Sequence, residues 1–204
     1  MENTKLRMYW ISLKVLILLL GLARAIRYRF DAENDEIFTR CPNKPSNIRT
    51  ITDIFDFSEF NIKDNGGKFI LSGKLTSLWN YDPTDTLHGS IIAFRYERRE
   101  WVSTVLSIFF NDMCVDLYNE QKYWYKFWTK FVVNLEDVKS KCLINGTTFI
   151  HEPFQLNFGS DVPIMVPEGR YKVVIVFKLF DKERNERNTS ICTEIIGELT
   201  KAKR

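Results

Sequence analysis

Two histidines, His88 and His151, are all the imidazole this chain can offer a general base, a proton shuttle or a metal. Both sit in strand-like sequence, where a hydrogen-bonded structural histidine is the simpler reading. Neither has a serine or cysteine motif beside it, and the chain has no Gly-x-Ser-x-Gly elbow, His-Glu-x-x-His helix or phosphate loop. Gly66-Gly67 is too short to cradle a phosphate and reads as a turn. The carboxylate neighbours Asp35-Glu36 and Glu136-Asp137 could do acid–base work in principle, but they suit solvated or helix-capping roles better. No two cysteines stand in C-x-x-C spacing, so zinc and thioredoxin-type chemistry lack their ligand pattern. The expectation is a protein that is not an enzyme and needs no cofactor or metal.

The most unusual local feature is Tyr123-Trp-Tyr-Lys-Phe-Trp128, in which every residue but Lys126 is aromatic. Trp124, Phe127, Trp128 and Phe131 fall at i, i+3, i+4 and i+7, one face of a helix over Asp116 to Phe131. Such a stripe packs a helix on a sheet or lines an apolar pocket, and the two readings are compatible. The whole chain is aromatic-rich, with 16 Phe, 8 Tyr and 5 Trp among 204 residues, as a large apolar interior or a pocket requires. Hydrophobic residues at 45% and charged residues at 27% exclude long disorder, collagen and a multi-span membrane protein.

Residues 1–25 read as a cleaved secretory signal peptide. Lys5 and Arg7 supply the basic start, Val15 to Leu22 the apolar run, and Ala23-Arg24-Ala25 the small-x-small cleavage site. Lys14 leaves the run well short of the ~20 residues a membrane span needs. The segment carries Lys5, Arg7, Lys14 and Arg24 against Glu2, which accounts for the chain's whole net charge of +3. Residues 26–204 are then charge-balanced, and a nucleic-acid partner loses its electrostatic support. The sequons Asn145-Gly-Thr147 and Asn188-Thr-Ser190 mark Asn145 and Asn188 as glycosylation acceptors in a secreted chain. Cys41, Cys114, Cys142 and Cys192 make two disulfides in an oxidising compartment. Three pairings are open. Cys41–Cys192, joining the two ends, and Cys114–Cys142, closing the helical middle, are favoured.

Strands must position the rest. Arg27 to Phe38 and Ile48 to Phe60 are expected strands, and Lys63-Asp-Asn-Gly-Gly67 is a hairpin turn. Lys68 to Trp79 alternates, with Phe69, Leu71, Leu75 and Trp79 on one face. His88 to Arg98 places Ile92, Phe94 and Tyr96 together. Trp101 to Phe110 is more continuously apolar, as if covered on both faces. Asn134 with Asp137 suggests a helix start, and Phe149 to Phe158 returns to strand. Arg170 to Phe180 alternates most clearly. Tyr171, Val173, Ile175, Phe177 and Leu179 point one way, with Lys172 and Lys178 on the other face. Thr189 to Thr200 is the last strand. Without repeats or linkers, residues 26–204 read as a single domain, mainly β, built as a sandwich or barrel.

Asp35-Glu-Ile-Phe-Thr-Arg-Cys41, Tyr123 to Lys130, Val138-Lys-Ser-Lys-Cys142, Pro167-Glu-Gly-Arg-Tyr-Lys172, Phe180-Asp181 and Ile191-Cys192 together resemble the insect CheB chemosensory proteins. These are secreted relatives of ganglioside-activator proteins in the ML lipid-recognition superfamily. The resemblance spans nearly all of residues 26–204. It implies a two-sheet antiparallel β-sandwich or cup, immunoglobulin-like, with a short aromatic-rich helical insertion and sheets splayed to admit an acyl chain. Cys41 and Cys192 match the family's end-to-end bond, but activator-type members carry more cysteines than this chain. The family implies extracellular action in perceiving lipid-like pheromones.

In such a cup the expected cavity lining is Phe69, Leu71, Leu75, Ile92, Phe94, Val173, Ile175 and Phe177, with Trp124 and Trp128 at the mouth. Alkyl chains need only burial to bind, at ~0.8 kcal/mol per methylene. The expected partners are a lipid or cuticular-hydrocarbon pheromone and a sensory-neuron membrane receptor or channel, with transient membrane contact and no nucleic acid. The alternative is a closed sandwich whose aromatic segment docks a receptor or channel directly. Alternation along a strand cannot separate a void from a filled core.

Overall fold

Period-two alternation dominates the chain and places its strands in two antiparallel sheets. The computed structural model describes residues 10, 26–33, 38–42, 44–45, 47–64, 69–156, 160–162 and 164–202. The signal-peptide reading and the Asn-Gly-Gly turn therefore lie outside the described residues, apart from Trp10 and the turn's first two positions. In chain order the elements are β1 (Ile26–Ala32), β2 (Thr39–Arg40), β3 (Phe55–Asp56), β4 (Phe60–Asp64), β5 (Phe69–Ser77), β6 (Thr86–Glu97), β7 (Glu100–Phe110), α1 (Met113–Leu117), α2 (Tyr123–Phe127), α3 (Leu135–Val138), β8 (Thr148–Gln155), β9 (Ser160–Val162), β10 (Gly169–Phe180) and β11 (Ile191–Lys201).

The larger sheet runs β7-β6-β10-β11-β1-β9, with β2 beside β1 on the same edge of β11. The smaller is built on β5, which pairs β3 and β4 along one edge and β8 along the other. Their apolar faces share one interior, where Tyr28, Leu87, Tyr171 and Leu179 of the large sheet pack in one cluster with Phe149 of the small one. The end of β5 leads into Trp79, which is fully buried and donates through Nε1 to Thr189 Oγ1 at 3.3 Å, just before β11. Cys41–Cys192 ties β2 to β11, and Cys114–Cys142 ties α1 to the chain beyond α3.

Three local departures from the sequence reading have visible causes. Ile48 to Phe60 is not one strand. Thr50 and Asp53 form a capping box, Asp53 accepting the Thr50 amide at 2.7 Å, and this winds Ile51–Asp53 into a 3-10 turn before β3. The helix over Asp116 to Phe131 is broken in two. Asn119 Oδ1 accepts the Gln121 amide at 3.0 Å, an Asx turn that competes with helical bonding between α1 and α2. Asn134 stands at the start of α3 but does not cap it; its side chain bonds the Thr148 carbonyl and the Ile150 amide, clamping α3 to β8.

β7 also differs. It pairs only β6 among the described residues and forms the sheet's edge, with Val102, Val105 and Phe109 exposed. The more apolar run thus marks an open edge here, not a strand covered on both faces.

Gly197 of β11 faces β1 so closely that a Cβ would lie 2.3 Å from the Asp31 carbonyl oxygen and 2.7 Å from Phe30 Cζ. Backbone cannot yield there without breaking the β1–β11 ladder. Gly197→Ala is expected to cost ~3 kcal/mol, the upper range for overpacking. A thermal melt should fall by roughly 6–12 °C, at ~2–4 °C per kcal/mol for a chain of this size; an unchanged melting temperature would mean the two strands are not clamped at this point.

Candidate functional site

Between the sheets lies a cavity of about 480 Å³. Its floor is the inner face of the large sheet: Tyr28 and Phe30 from β1, Ile91 and Ala93 from β6, Tyr171, Val173, Ile175 and Phe177 from β10, and Ile195 and Leu199 from β11. Leu71 and Leu75 of β5, with Phe149 of β8, close the opposite side, and Trp124, Phe127 and Trp128 cover it from the helical segment. The exposed members of the lining, Val105, Ser107, Ile108 and Ile164, form the rim where the cavity meets solvent.

Five of the eight residues expected to line a cavity do so: Leu71, Leu75, Val173, Ile175 and Phe177, joined by both tryptophans. Phe69 is buried with Phe60, Phe154, Leu71 and Leu75 in a separate cluster and does not reach the cavity. Ile92 and Phe94 are on the wrong face. β6 and β10 pair with Ile91 opposite Ile175, Ala93 opposite Val173 and Phe94 opposite Lys172, and directly paired residues share a face. Lys172, pointing outward, lies 5.7 Å over the Phe94 ring and 4.9 Å over Trp101, with Glu194 3.5 Å away. Residues 91–94 are all apolar, so no charge labels a face, and the larger side chains favoured Ile92 and Phe94; the register with β10 decides otherwise.

Tyr28 and Phe30 went unnoticed as lining. Their signal was present in Arg27-Tyr-Arg-Phe-Asp31, which alternates charge and ring, but the strand's partner β11 was needed to say which face is inside. The rim has a different origin. Thr104, Val105 and Leu106 bulge opposite Ala93, where the β6–β7 register shifts and Thr104 Oγ1 donates to the Ala93 carbonyl at 2.7 Å. The bulge bends the edge strand and turns Val105 to Ile108 around the opening.

The polar atoms of the floor are spent on the protein itself. Tyr28 Oη donates to the Val166 carbonyl at 2.9 Å and accepts the Val166 amide at 3.0 Å. Tyr171 Oη donates to the Pro167 carbonyl at 2.7 Å. Trp124 Nε1 has no partner but is sealed from solvent, with the Trp124 ring packed on Phe110 and Phe177. Among the described residues no cluster of histidine, cysteine or carboxylate groups is arranged to hold a metal.

His151 is 4% exposed, 4.3 Å from the Trp128 ring and 5.6 Å from Phe60 and Phe154, and neither of its ring nitrogens has a hydrogen-bond partner. The sequence expectation of a hydrogen-bonded histidine fails here, because β8 delivers the ring into a nest of aromatics. His88 instead lies against Phe180, ring centres 4.5 Å apart. Burial drives the His151 pKa from 6.5 down to about 4, the nearby Phe149 carbonyl opposing this only in part. The fold therefore favours the neutral ring. Its contribution is fully present above pH 6.5 and is lost as pH falls from 6.5 toward 4, reaching roughly 3 kcal/mol at pH 4. His151→Phe should flatten that part of the stability–pH curve relative to the parent in urea titrations; parallel curves would show that His151 does not titrate across folding.

Asn145 and Asn188 are exposed, while Thr147 and Ser190, the hydroxyl residues of the two sequons, are buried. Asn145 precedes Gly146, whose amide donates to the Ser77 carbonyl at 2.8 Å at the end of β5. Asn188 lies in the β10–β11 hairpin and accepts a hydrogen bond from Asn47. Leu156 of the lining donates its amide to the Phe69 carbonyl at 2.8 Å, at the start of β5.

The class these features define is a mainly β protein of two antiparallel sheets with few helices, two disulfides and an apolar cavity between the sheets. Among the described residues no helix is long and apolar enough to cross a membrane. No family model and no curated protein matches the chain.

Proposed function

We propose that this chain is a secreted binding protein for a long apolar molecule, a lipid or cuticular-hydrocarbon pheromone, which it carries or presents to a sensory receptor or channel. The open cavity of about 480 Å³, lined by aliphatic and aromatic side chains, carries this reading. Its size falls in the range of small-molecule sites, ~300–1,000 Å³. In this reading the two sheets are the splayed sandwich of a lipid-recognition domain, and the CheB resemblance supplies the chemosensory setting. The two disulfides and the exposed Asn145 and Asn188 of the sequons fit an extracellular glycoprotein. A filled interior would have favoured the alternative module that docks without a ligand; the cavity weighs against it. Binding here needs only burial, with no catalytic group.

The test is displacement of the polarity-sensitive fluorophore N-phenyl-1-naphthylamine. Long-chain alcohols and alkanes should displace it at one per chain, and a charged glycan or short acid should not. Failure of every long-chain compound to displace it, in folded protein, would overturn the proposal.

A further inference from the structure

Among the described residues β7 pairs only β6, so the other side of its backbone has no strand beside it. Such a row of amides and carbonyls is a template for a further strand, and proteins blunt it with charged side chains, prolines or bulges. The ten residues Trp101 to Phe110 hold no charge and no proline. Along them Val105 is 74% and Phe109 68% exposed. The one device present is the bulge, which sets Thr104, Val105 and Leu106 against Ala93. It divides the edge into two regular halves of equal length, Trp101–Ser103 and Ser107–Phe109, on either side of Val105.

That division selects the occupant. An ordinary strand meets the bulge out of step. A second copy, turned about a two-fold axis through Val105, sets bulge against bulge and regular half against regular half. In this antiparallel register Trp101 lies opposite Phe109 of the second copy and Ser103 opposite its Ser107, all on the outer face. On the inner face Val102 lies opposite its Ile108. Aromatic meets aromatic, hydroxyl meets hydroxyl and aliphatic meets aliphatic, and symmetry repeats each match. Moving the axis to Thr104 would set Trp101 against Ser107. Moving it to Leu106 would set Glu100 against Asp112, two like charges.

Charge at the two ends agrees. Arg98 and Arg99 form the turn that joins β6 to β7, both with left-handed backbone, φ 48° and 70°, where glycine or asparagine is the ordinary choice. A turn that only closed a hairpin has no use for two arginines. About the Val105 axis, Arg98 comes opposite Asp112 of the second copy, the carboxylate that caps α1. A parallel copy would set arginine beside arginine.

We infer that β7 is the interface of a two-fold homodimer, whose two large sheets run on as one antiparallel sheet across the paired edges. Val105 and Ile108 also belong to the cavity rim, so the second copy covers that side of the opening. Phe109 is not part of the cavity lining and provides a variant that spares the ligand site.

Sedimentation velocity of the disulfide-bonded protein over a wide dilution series should show a monomer–dimer equilibrium. Phe109→Lys removes both aromatic pairs at once and should weaken dimerisation at least ~10-fold. Its melting temperature in dilute solution and its fluorophore affinity should match the parent, because the ring it replaces is exposed. Single introduced cysteines read the register. Val105→Cys faces its own copy at the axis, close to the spacing a disulfide spans, and should cross-link on mild oxidation. Val133→Cys, exposed beside β8, should not. Ser103→Cys and Ser107→Cys should cross-link when mixed and neither alone. Monomer at every concentration up to the millimolar, a dimer untouched by Phe109→Lys, or cross-linking no faster through Val105→Cys than through Val133→Cys would each overturn this inference. Each of those results leaves the ligand proposal standing.

Discussion

Ala93→Trp is expected to abolish ligand binding while leaving the protein folded. Ala93 lies on the inner face of β6, opposite Val173 and against the β7 bulge, with its methyl group on the cavity. An indole there projects into open space, so the overpacking penalty of ~1–3 kcal/mol that a filled core would impose is largely avoided. It displaces several methylenes of any bound chain. At ~0.8 kcal/mol each, four displaced methylenes amount to ~3 kcal/mol, or more than 100-fold in affinity. Phe94→Ala is the paired control. Its neighbour ring is larger and more conspicuous in the sequence, but it faces outward under Lys172, so affinity should stay within about twofold of the parent. Fluorophore displacement reads both variants, with thermal melts to confirm folding. The reverse result, with Phe94→Ala losing the ligand and Ala93→Trp keeping it, would place the site on the outer face.

The second large effect concerns stability. Cys41–Cys192 closes a sequence separation of 151 residues, and Cys114–Cys142 one of 28. Loop-closure entropy then assigns about 5 kcal/mol to the first and about 3.5 kcal/mol to the second. A domain holds only ~5–15 kcal/mol in all, so Cys41→Ser with Cys192→Ser should leave the protein close to unfolding at 25 °C. The Cys114→Ser and Cys142→Ser pair should cost less stability but act on the site. That bond anchors α1, which packs against α2 and so helps hold Trp124 over the cavity. Urea titration should rank the first pair as the more destabilised, and fluorophore affinity should fall more in the second. Equal denaturation midpoints would show that the long loop is already held closed by the β2–β11 pairing.

Much of this was legible from residue pattern. β10 was oriented correctly because Lys172 and Lys178 label its outer face, and β11 follows from the hairpin that joins them. Both disulfide pairs follow from one bond between the ends and one within the helical middle. What the pattern could not give is whatever depends on partners distant in sequence. Ile91, Ile92, Ala93 and Phe94 carry no charge to label a face, and the longest apolar side chains suggested the wrong one. The register with β10 reverses it. The β7 bulge, which makes the rim, has no signature in Thr104-Val-Leu106. The orphaned ring of His151 is equally invisible, since its isolation is a property of what Phe60, Trp128 and Phe154 bring to it. The void itself is a matter of how far two sheets stand apart, which alternation does not encode.

The central claim, that the space between the sheets is a ligand site, is tested most directly by native mass spectrometry of the protein secreted from insect cells, with its organic extract analysed for lipid. The account predicts a discrete added mass of one apolar molecule per protein, present in the parent and in Phe94→Ala and missing from folded Ala93→Trp. Parent protein that emerges bare and takes up neither added hexadecanol nor hexadecane would contradict it.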